Sequence, residues 1–301
     1  MLLKDIIDKA EHIGVPSRRL KTFNEQECLL MSFNGNDHIL YIPDNIEELN
    51  TNREIENSCI FTEQLKELDG MLKVVGGKHL KSAYMLFAYT NFTSIDISEL
   101  LSEHLTSTEK MFNHCQASEV KFNESLNTSE LTNIEKMFSH SKIVKANLKN
   151  FDISKVTNMS ESFLRVDISN FDLPKFNAKE LKSCNRIFWG SKAGKLDLLE
   201  LNLQEATNIN EMFNLIQCDT IEMDFKHIDD STPVKSLFAN SEIGELIIHN
   251  FELTSDLTLK DIFMNSNIKR ITLINSNAYS EKLIREQLSL GSTIIQARRS
   301  L

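Results

Sequence analysis

The chain has 301 residues, is 41% hydrophobic and 25% charged, and carries a formal net charge of −10. That balance can bury a continuous core, 9 Gly with 4 Pro leave little linker material, and nothing in the composition suggests a long disordered segment. The acidic surplus argues against nucleic acid as a direct ligand, because phosphate contacts need clustered Lys and Arg. No apolar run approaches the roughly 18 residues a membrane span requires.

In chain order, Leu2, Leu3, Ile6, Ile7 and Ala10 make a helical stripe that ends near Gly14 and Pro16. Lys4, Asp5, Asp8 and Lys9 interrupt it where a secretory signal needs an unbroken apolar stretch, which points to a cytoplasmic protein. A cell-surface location is the alternative if a leader has been removed. Cys28 to Phe33 and His38 to Ile42 read as a hairpin turning at Asn34 and Gly35. A helix over Phe61 to Leu68, a strand over Leu72 to Val75 and a break at Gly76 and Gly77 complete residues 1–77. This segment is expected to be an α+β domain that caps the rest or acts as a separate recognition module.

From there the chain repeats. Phenylalanine recurs at Phe87, Phe112, Phe138, Phe163, Phe188, Phe213, Phe238 and Phe263, with gaps of 25 residues and a single gap of 26. A fixed period of this size means that each unit buries its apolar face only against its neighbours. Counting from each Phe, the eighth and tenth following residues are apolar in every unit, from Ile95 and Ile97 to Ile271 and Leu273. A spacing of two predicts one strand per repeat, with positions +7, +9 and +11 facing outward. A second group, such as Val156, Met159 and Phe163 or Ala206, Ile209 and Phe213, has helical spacing. Thr132 with Glu135 and Thr106 with Glu109 read as capping boxes for that helical turn.

A strand, a bend and a helical turn in about 25 residues is the size class of the leucine-rich repeats. The expected fold is an α/β repeat solenoid over residues 78–278, a right-handed leucine-rich-repeat-like stack with a parallel sheet of eight short strands. At about 4.8 Å per strand that ladder would be roughly 35 Å long, a docking surface for a macromolecule. Residues 279–301, with a helix over Glu281 to Leu288 and a strand over Thr293 to Ala297, are expected to cap the far end.

The stretch from Met137 to Phe163, MFSHSKIVKANLKNFDISKVTNMSESF, resembles the BspA-type leucine-rich repeat of bacterial proteins. Their units read approximately as Met-Phe, a small residue, a Leu-Asp-Leu-Ser strand, Phe-Asp and Val-Thr-Asn-Met. Similar pieces occur at Asp167 to Phe171, Asn208 to Phe213 and Met111 to Cys115, so the resemblance covers roughly residues 80 to 278. The sixth unit departs from it at Lys226 and Pro233, and the eighth lacks the Phe-Asp element. The resemblance implies surface adhesins or binding proteins, with motif residues that serve core and turns rather than catalysis.

No phosphate loop, zinc-ligand pair of Cys-x-x-Cys, His-Glu-x-x-His or Gly-x-Ser-x-Gly motif is present, so no enzyme, cofactor or metal is expected. His114 and His140 share the slot two residues past the Phe in adjacent repeats, near Cys115, which would suit a metal. The variety of residues in that slot elsewhere favours a solvent-facing loop. Cys28, Cys59, Cys115, Cys184 and Cys218 form no close pair and read as free thiols of a reducing compartment.

The outward strand positions fall into three zones. Lys121, Lys145 and Lys149 make a basic patch, Asp172, Asp197, Glu222 and Asp224 an acidic run, and Ile247 with Ile274 an apolar end near Leu199. Solubility alone does not require those apolar residues there. Trp189 occupies a slot otherwise mostly small or polar and should have Leu164 as its stacked neighbour. The candidate protein-binding set is therefore Asp172, Asp197, Leu199, Glu222, Asp224, Ile247, Ile274, Trp189 and Leu164. Together these features predict a noncatalytic protein-binding solenoid, monomeric or weakly oligomeric, with a protein partner and no membrane. A phage or mobile-element inhibitor of a host complex, such as an anti-CRISPR, is one context for it. The alternatives are a BspA-type adhesin and, third, an enzyme with its site in the N-terminal domain.

Overall fold

The computed structural model describes residues 15–22, 24–33, 36–50, 60–226, 228, 233–252, 261–288 and 294–298. The stripe from Leu2 to Ala10, the Asn34 and Gly35 turn and Cys59 lie outside them. The chain forms two compact units, Met1–Asp152 with Asn170–Pro174, and Ile153–Ser169 with Lys175–Leu301. Both are built from the same solenoid turn, and the strands of successive turns pair in parallel.

The first unit holds β1 (Ser17–Lys21), β2 (Glu27–Phe33), β3 (Asp37–Ile42), α1 (Ile60–Glu63), β4 (Met71–Gly76), β5 (Ser94–Leu100), β6 (Gln116–Phe122), β7 (Lys142–Asn147) and β8 (Phe171–Asp172). Its strands lie side by side in chain order. The expected hairpin of β2 and β3 is antiparallel, β1 adds antiparallel to β2, and every pair from β3 onward is parallel. The helix expected over Phe61 to Leu68 is a single turn, α1, that gives way to further turns. The second unit holds β9 (Lys192–Leu198), β10 (Gln217–Asp224), β11 (Glu242–His249), β12 (Asn267–Ile274), α2 (Ala278–Gln287) and β13 (Ile294–Arg298), with all five strands parallel. Asn277 caps α2 by accepting from the Ser280 amide at 2.7 Å, which starts the helix at Ala278 rather than Glu281, and Leu283 and Ile284 are its buried apolar residues. No helix of the described residues is long and apolar enough to cross a membrane.

All eight repeat phenylalanines are buried. In the first unit Phe87, Phe112 and Phe138 stack with ring centroids 5.3 Å apart. In the second, Phe163, Phe188, Phe213, Phe238 and Phe263 stack at 5.2 to 5.7 Å. These are parallel offset contacts of the kind aromatic quadrupoles favour. The strand residues at +8 and +10 are buried as well, with one exception. Leu173 is half-buried, because β8 is only two residues long and Pro174, lacking an amide hydrogen, cannot extend its ladder.

The helical spacing before each Phe is produced by turns, not helix. In every repeat the residues two before and two after the Phe have positive φ, from Met85 (φ 52) and Tyr89 (φ 60) to Asp261 (φ 62) and Asn265 (φ 56). A left-handed residue every fourth position breaks the helical hydrogen-bond pattern. The freed amides donate instead to the following repeat, as Phe112 to Met137 at 2.8 Å, Phe188 to Met212 at 2.9 Å and Arg165 to Trp189 at 2.8 Å. The capping boxes are accordingly absent. The Thr106 hydroxyl donates to the Lys81 carbonyl at 3.0 Å and that of Thr132 to the Thr106 carbonyl at 3.2 Å, both one repeat back.

Candidate functional site

Parallel pairing puts equivalent residues of the second unit's repeats into rows across the outward sheet face. Lys195, Thr220, Glu245 and Arg270 form one row, and Asp197, Glu222, Ile247 and Thr272 the next. Asp224, His249 and Ile274 form a third. The face thus brings together Asp197, Glu222, Asp224, Ile247 and Ile274, while Leu199 directly follows β9 and is 37% exposed. Ile247 and Ile274 are half-buried among their row neighbours, and Thr272, in an outward slot, is buried with its hydroxyl 3.4 Å from Glu245 Oε1.

The acidic run is partly compensated. Glu222 lies 3.7 Å from Lys195 Nζ and 3.1 Å from His249 Nε2, with both partners of the latter contact about one-fifth exposed. Arg270 lies 3.4 Å from Glu245. Asp224 accepts from the Asn250 side chain at 2.9 Å and the Lys226 amide at 2.8 Å, and Asp197 from the Leu199 amide at 3.3 Å. Asp197 and Asp224 are then the candidate carboxylates on this face for which the described residues supply no ion pair. Sequence position supplied the rows but not these pairings, although the signal was there in the opposite charges one repeat apart.

The remaining candidates lie elsewhere. Asp172 belongs to the first unit, where it is exposed and pairs in register with Asn147. Leu164 is 7% exposed. Trp189 is half-buried, and the group over its ring is the Arg165 guanidinium, 4.6 Å from the centroid, rather than Leu164. Gly190, one residue on, leaves that guanidinium's stem room, since a Cβ there would sit 3.2 Å from Arg165 Cγ. In the first unit the corresponding edge carries Tyr89, His114 and His140 as a stack at 4.8 and 4.7 Å with nearly parallel planes. Parallel imidazole planes direct their nitrogen lone pairs side by side rather than toward a common point, which suits stacking and not chelation. No group of three His, Cys, Asp or Glu side chains that could hold a metal occurs among the described residues.

Cys28, Cys115, Cys184 and Cys218 are free and buried. Burial pushes the thiols of Cys115 and Cys184 up to about 12 and that of Cys218 to about 11, so none is a thiolate near neutral pH.

Two concavities were not legible in the sequence. In the second unit a polar groove of about 510 Å³ runs over the start of the strands, between Lys192, Gln217, Glu242 and Asn267. Gly194 and Gly244 form part of its floor. In the first unit a smaller, more apolar cleft of about 270 Å³ crosses β3 to β6.

Stacked turns, parallel strands and an outward face of mixed charge define this molecule as a repeat solenoid. Within it, residues 106–225 match the family model described as Mycoplasma protein of unknown function, DUF285, so this stretch is similar to that family. No curated protein and no solved structure matches the chain.

Proposed function

We propose that this chain is a noncatalytic protein-binding solenoid of the BspA-like kind that grips one partner through the outward face of β9 to β12. The observation that carries this reading is the arrangement of Ile247 and Ile274 in register with paired charges. Glu222 with Lys195 and His249, and Glu245 with Arg270, surround the apolar pair with groups already satisfied within the chain. Such a ring excludes water around a small apolar centre, the arrangement in which a few anchors supply most binding energy. Asp197 and Asp224 add uncompensated negative charge that speeds encounter with a basic partner surface.

The test is affinity capture from cells of the native source with the intact chain and with Ile247→Asp. The variant should stay folded with a modestly lowered thermal melt, since Ile247 is half-buried on the outer face rather than in the core, yet weaken the captured partner by more than about tenfold. Reversing Asp197 and Asp224 to Lys should mainly slow association and flatten its salt dependence. Unchanged binding by folded variants of both kinds would reduce the face to a solvated surface.

A further inference from the structure

The cleft in the first unit has a construction that the repeat pattern does not explain. Its apolar wall consists of Phe33 at the end of β2, Ile39 on β3 and Met71 at the start of β4, with Leu72 and Ile95 beneath. Met71 is 51% exposed. His38 also borders the cleft, held by a 3.0 Å hydrogen bond with the Ser32 hydroxyl, and burial keeps its imidazole below its ordinary pKa.

The rim is set by strand register. Ile39 pairs with Lys73, Lys73 with Asp96 and Asp96 with Lys121, so charges alternate in one row away from the apolar wall. Most of them are already committed. Lys73 Nζ lies 2.5 Å from Glu99, and Asp96 accepts from the Ser98 amide at 2.9 Å and its hydroxyl at 2.5 Å. Burial would raise the Asp96 carboxyl, but these hydrogen bonds together with Lys73 and Lys121 outweigh it and hold the group below the ordinary carboxylate range. Glu119 is engaged by Lys145 at 3.2 Å and lies 3.9 Å from Lys121. Lys121, 57% exposed, is thus the least tightly held cation of the rim, whose Asp37 accepts from the Met71 amide at 3.1 Å.

We infer that this cleft is an anchor pocket for one aromatic side chain of a protein partner, whose neighbouring acidic residue meets Lys121. At about 270 Å³ the cleft falls below the roughly 300 to 1,000 Å³ of whole small-molecule sites, and it suits a single large side chain. A phenyl ring gains the thioether of Met71, whose unbranched chain adapts to the ring edge, and the face or edge of Phe33. Aromatic residues seated in such a pocket and ringed by satisfied polar groups are the usual centres of binding energy. The exposed cation at one end, only loosely held by Glu119, then selects which aromatic-bearing segments fit. This inference rests on the protein-binding reading but uses a different surface.

The experiment uses the full chain with methyl-labelled methionine, observed by NMR. The probes are the blocked dipeptides acetyl-Phe-Glu-amide and acetyl-Phe-Lys-amide, and Met71→Ala assigns the reporting signal. Millimolar acetyl-Phe-Glu-amide should shift the Met71 methyl and leave those of Met159, Met212 and Met223 in place. The Lys-containing probe should bind about threefold more weakly, the scale of one exposed ion pair. Lys121→Glu should invert that preference while the other methionine signals report an intact fold, and Ile39→Asp should abolish both shifts. An unmoved Met71 signal with both probes, or a preference unaltered by Lys121→Glu, overturns the inference. So does a Met71 signal that moves with protein concentration alone, which would assign the cleft to a second copy of the chain. None of these outcomes touches Ile247, so the sheet-face proposal stands or falls separately.

Discussion

The two units run the same repeat on the inside and diverge on the outside. In each, phenylalanines stack at closely similar spacing and the residues two positions either side of them take left-handed conformations. At the sixth position after the Phe, however, the first unit carries Thr93, Ser118 and Val144, and the Ser118 amide and hydroxyl both donate to the Thr93 carbonyl, at 2.9 and 2.6 Å. In the second unit Gly194 and Gly244 alternate in that slot with Ser169, Asp219 and Lys269, and a groove opens there. On the turn edge the first unit stacks Tyr89, His114 and His140, where the second has Arg165 over Trp189. The interior tolerates one solution because every turn must match its neighbours. The exterior is free to differ turn by turn.

The largest expected effect tests the shared interior. Phe112→Ala and Phe188→Ala each remove an inner ring of a stack and should each lower stability by about 3 to 5 kcal/mol in denaturant unfolding. If one loses well under 1 kcal/mol, the two stacks are not equivalent cores. The glycine slot comes next. A Cβ at Gly244 would lie 2.5 Å from the Asp219 carbonyl oxygen, whereas one at Gly194 meets nothing within 4 Å. Gly244→Ala should therefore destabilise by about 1 to 3 kcal/mol, while Gly194→Ala should stay within about 0.5 kcal/mol of the parent. Equal melting temperatures for the two would show that the groove floor yields freely. The smallest effect concerns Leu215, which holds φ 62 on the exposed edge of the second unit. Leu215→Asn should raise stability by up to about 1 kcal/mol and Leu215→Val should lower it by a similar amount, because a β-branched residue fits the left-handed region worst.

The interior was legible from sequence because burial enforces it at a fixed period, and the Phe positions with their +8 and +10 partners give the strands of both units. The turn geometry was not. Its left-handed residues include Met85, Lys110, Arg186 and Leu215, with Gly190 the one glycine among those flanking the repeat Phe, so composition does not mark them, and the spacing of Val156, Met159 and Phe163 imitates a helix. β1 escaped notice for a related reason: of its five residues only Leu20 is buried, leaving no alternation to read. The rows of the sheet face follow from repeat position, and so Asp197, Glu222 and Ile247 were found together. The contacts of Glu222 with Lys195 and His249 depend on side-chain reach across strands, which position alone does not give. The cleft over β3 to β6 takes its apolar wall from Phe33, Ile39 and Met71, outside the repeat, where no second copy of the pattern exists for comparison.

The left-handed residues flanking each Phe have an electrical consequence. Along the turn edge of the second unit the amides of Arg186, Phe188 and Gly190 donate to Asn210, Met212 and Asn214, and those of Glu211, Phe213 and Leu215 to Lys235, Leu237 and Ala239, always toward the following repeat. Peptide dipoles that share one direction add, as they do along a helix axis, whereas those in an ordinary sheet largely cancel. This edge therefore carries a macrodipole built without a helix, lying across the chain direction rather than along it. Its amide end, toward the last repeat, favours anionic groups and its carbonyl end cationic ones, giving a molecule of repeated units a built-in polarity.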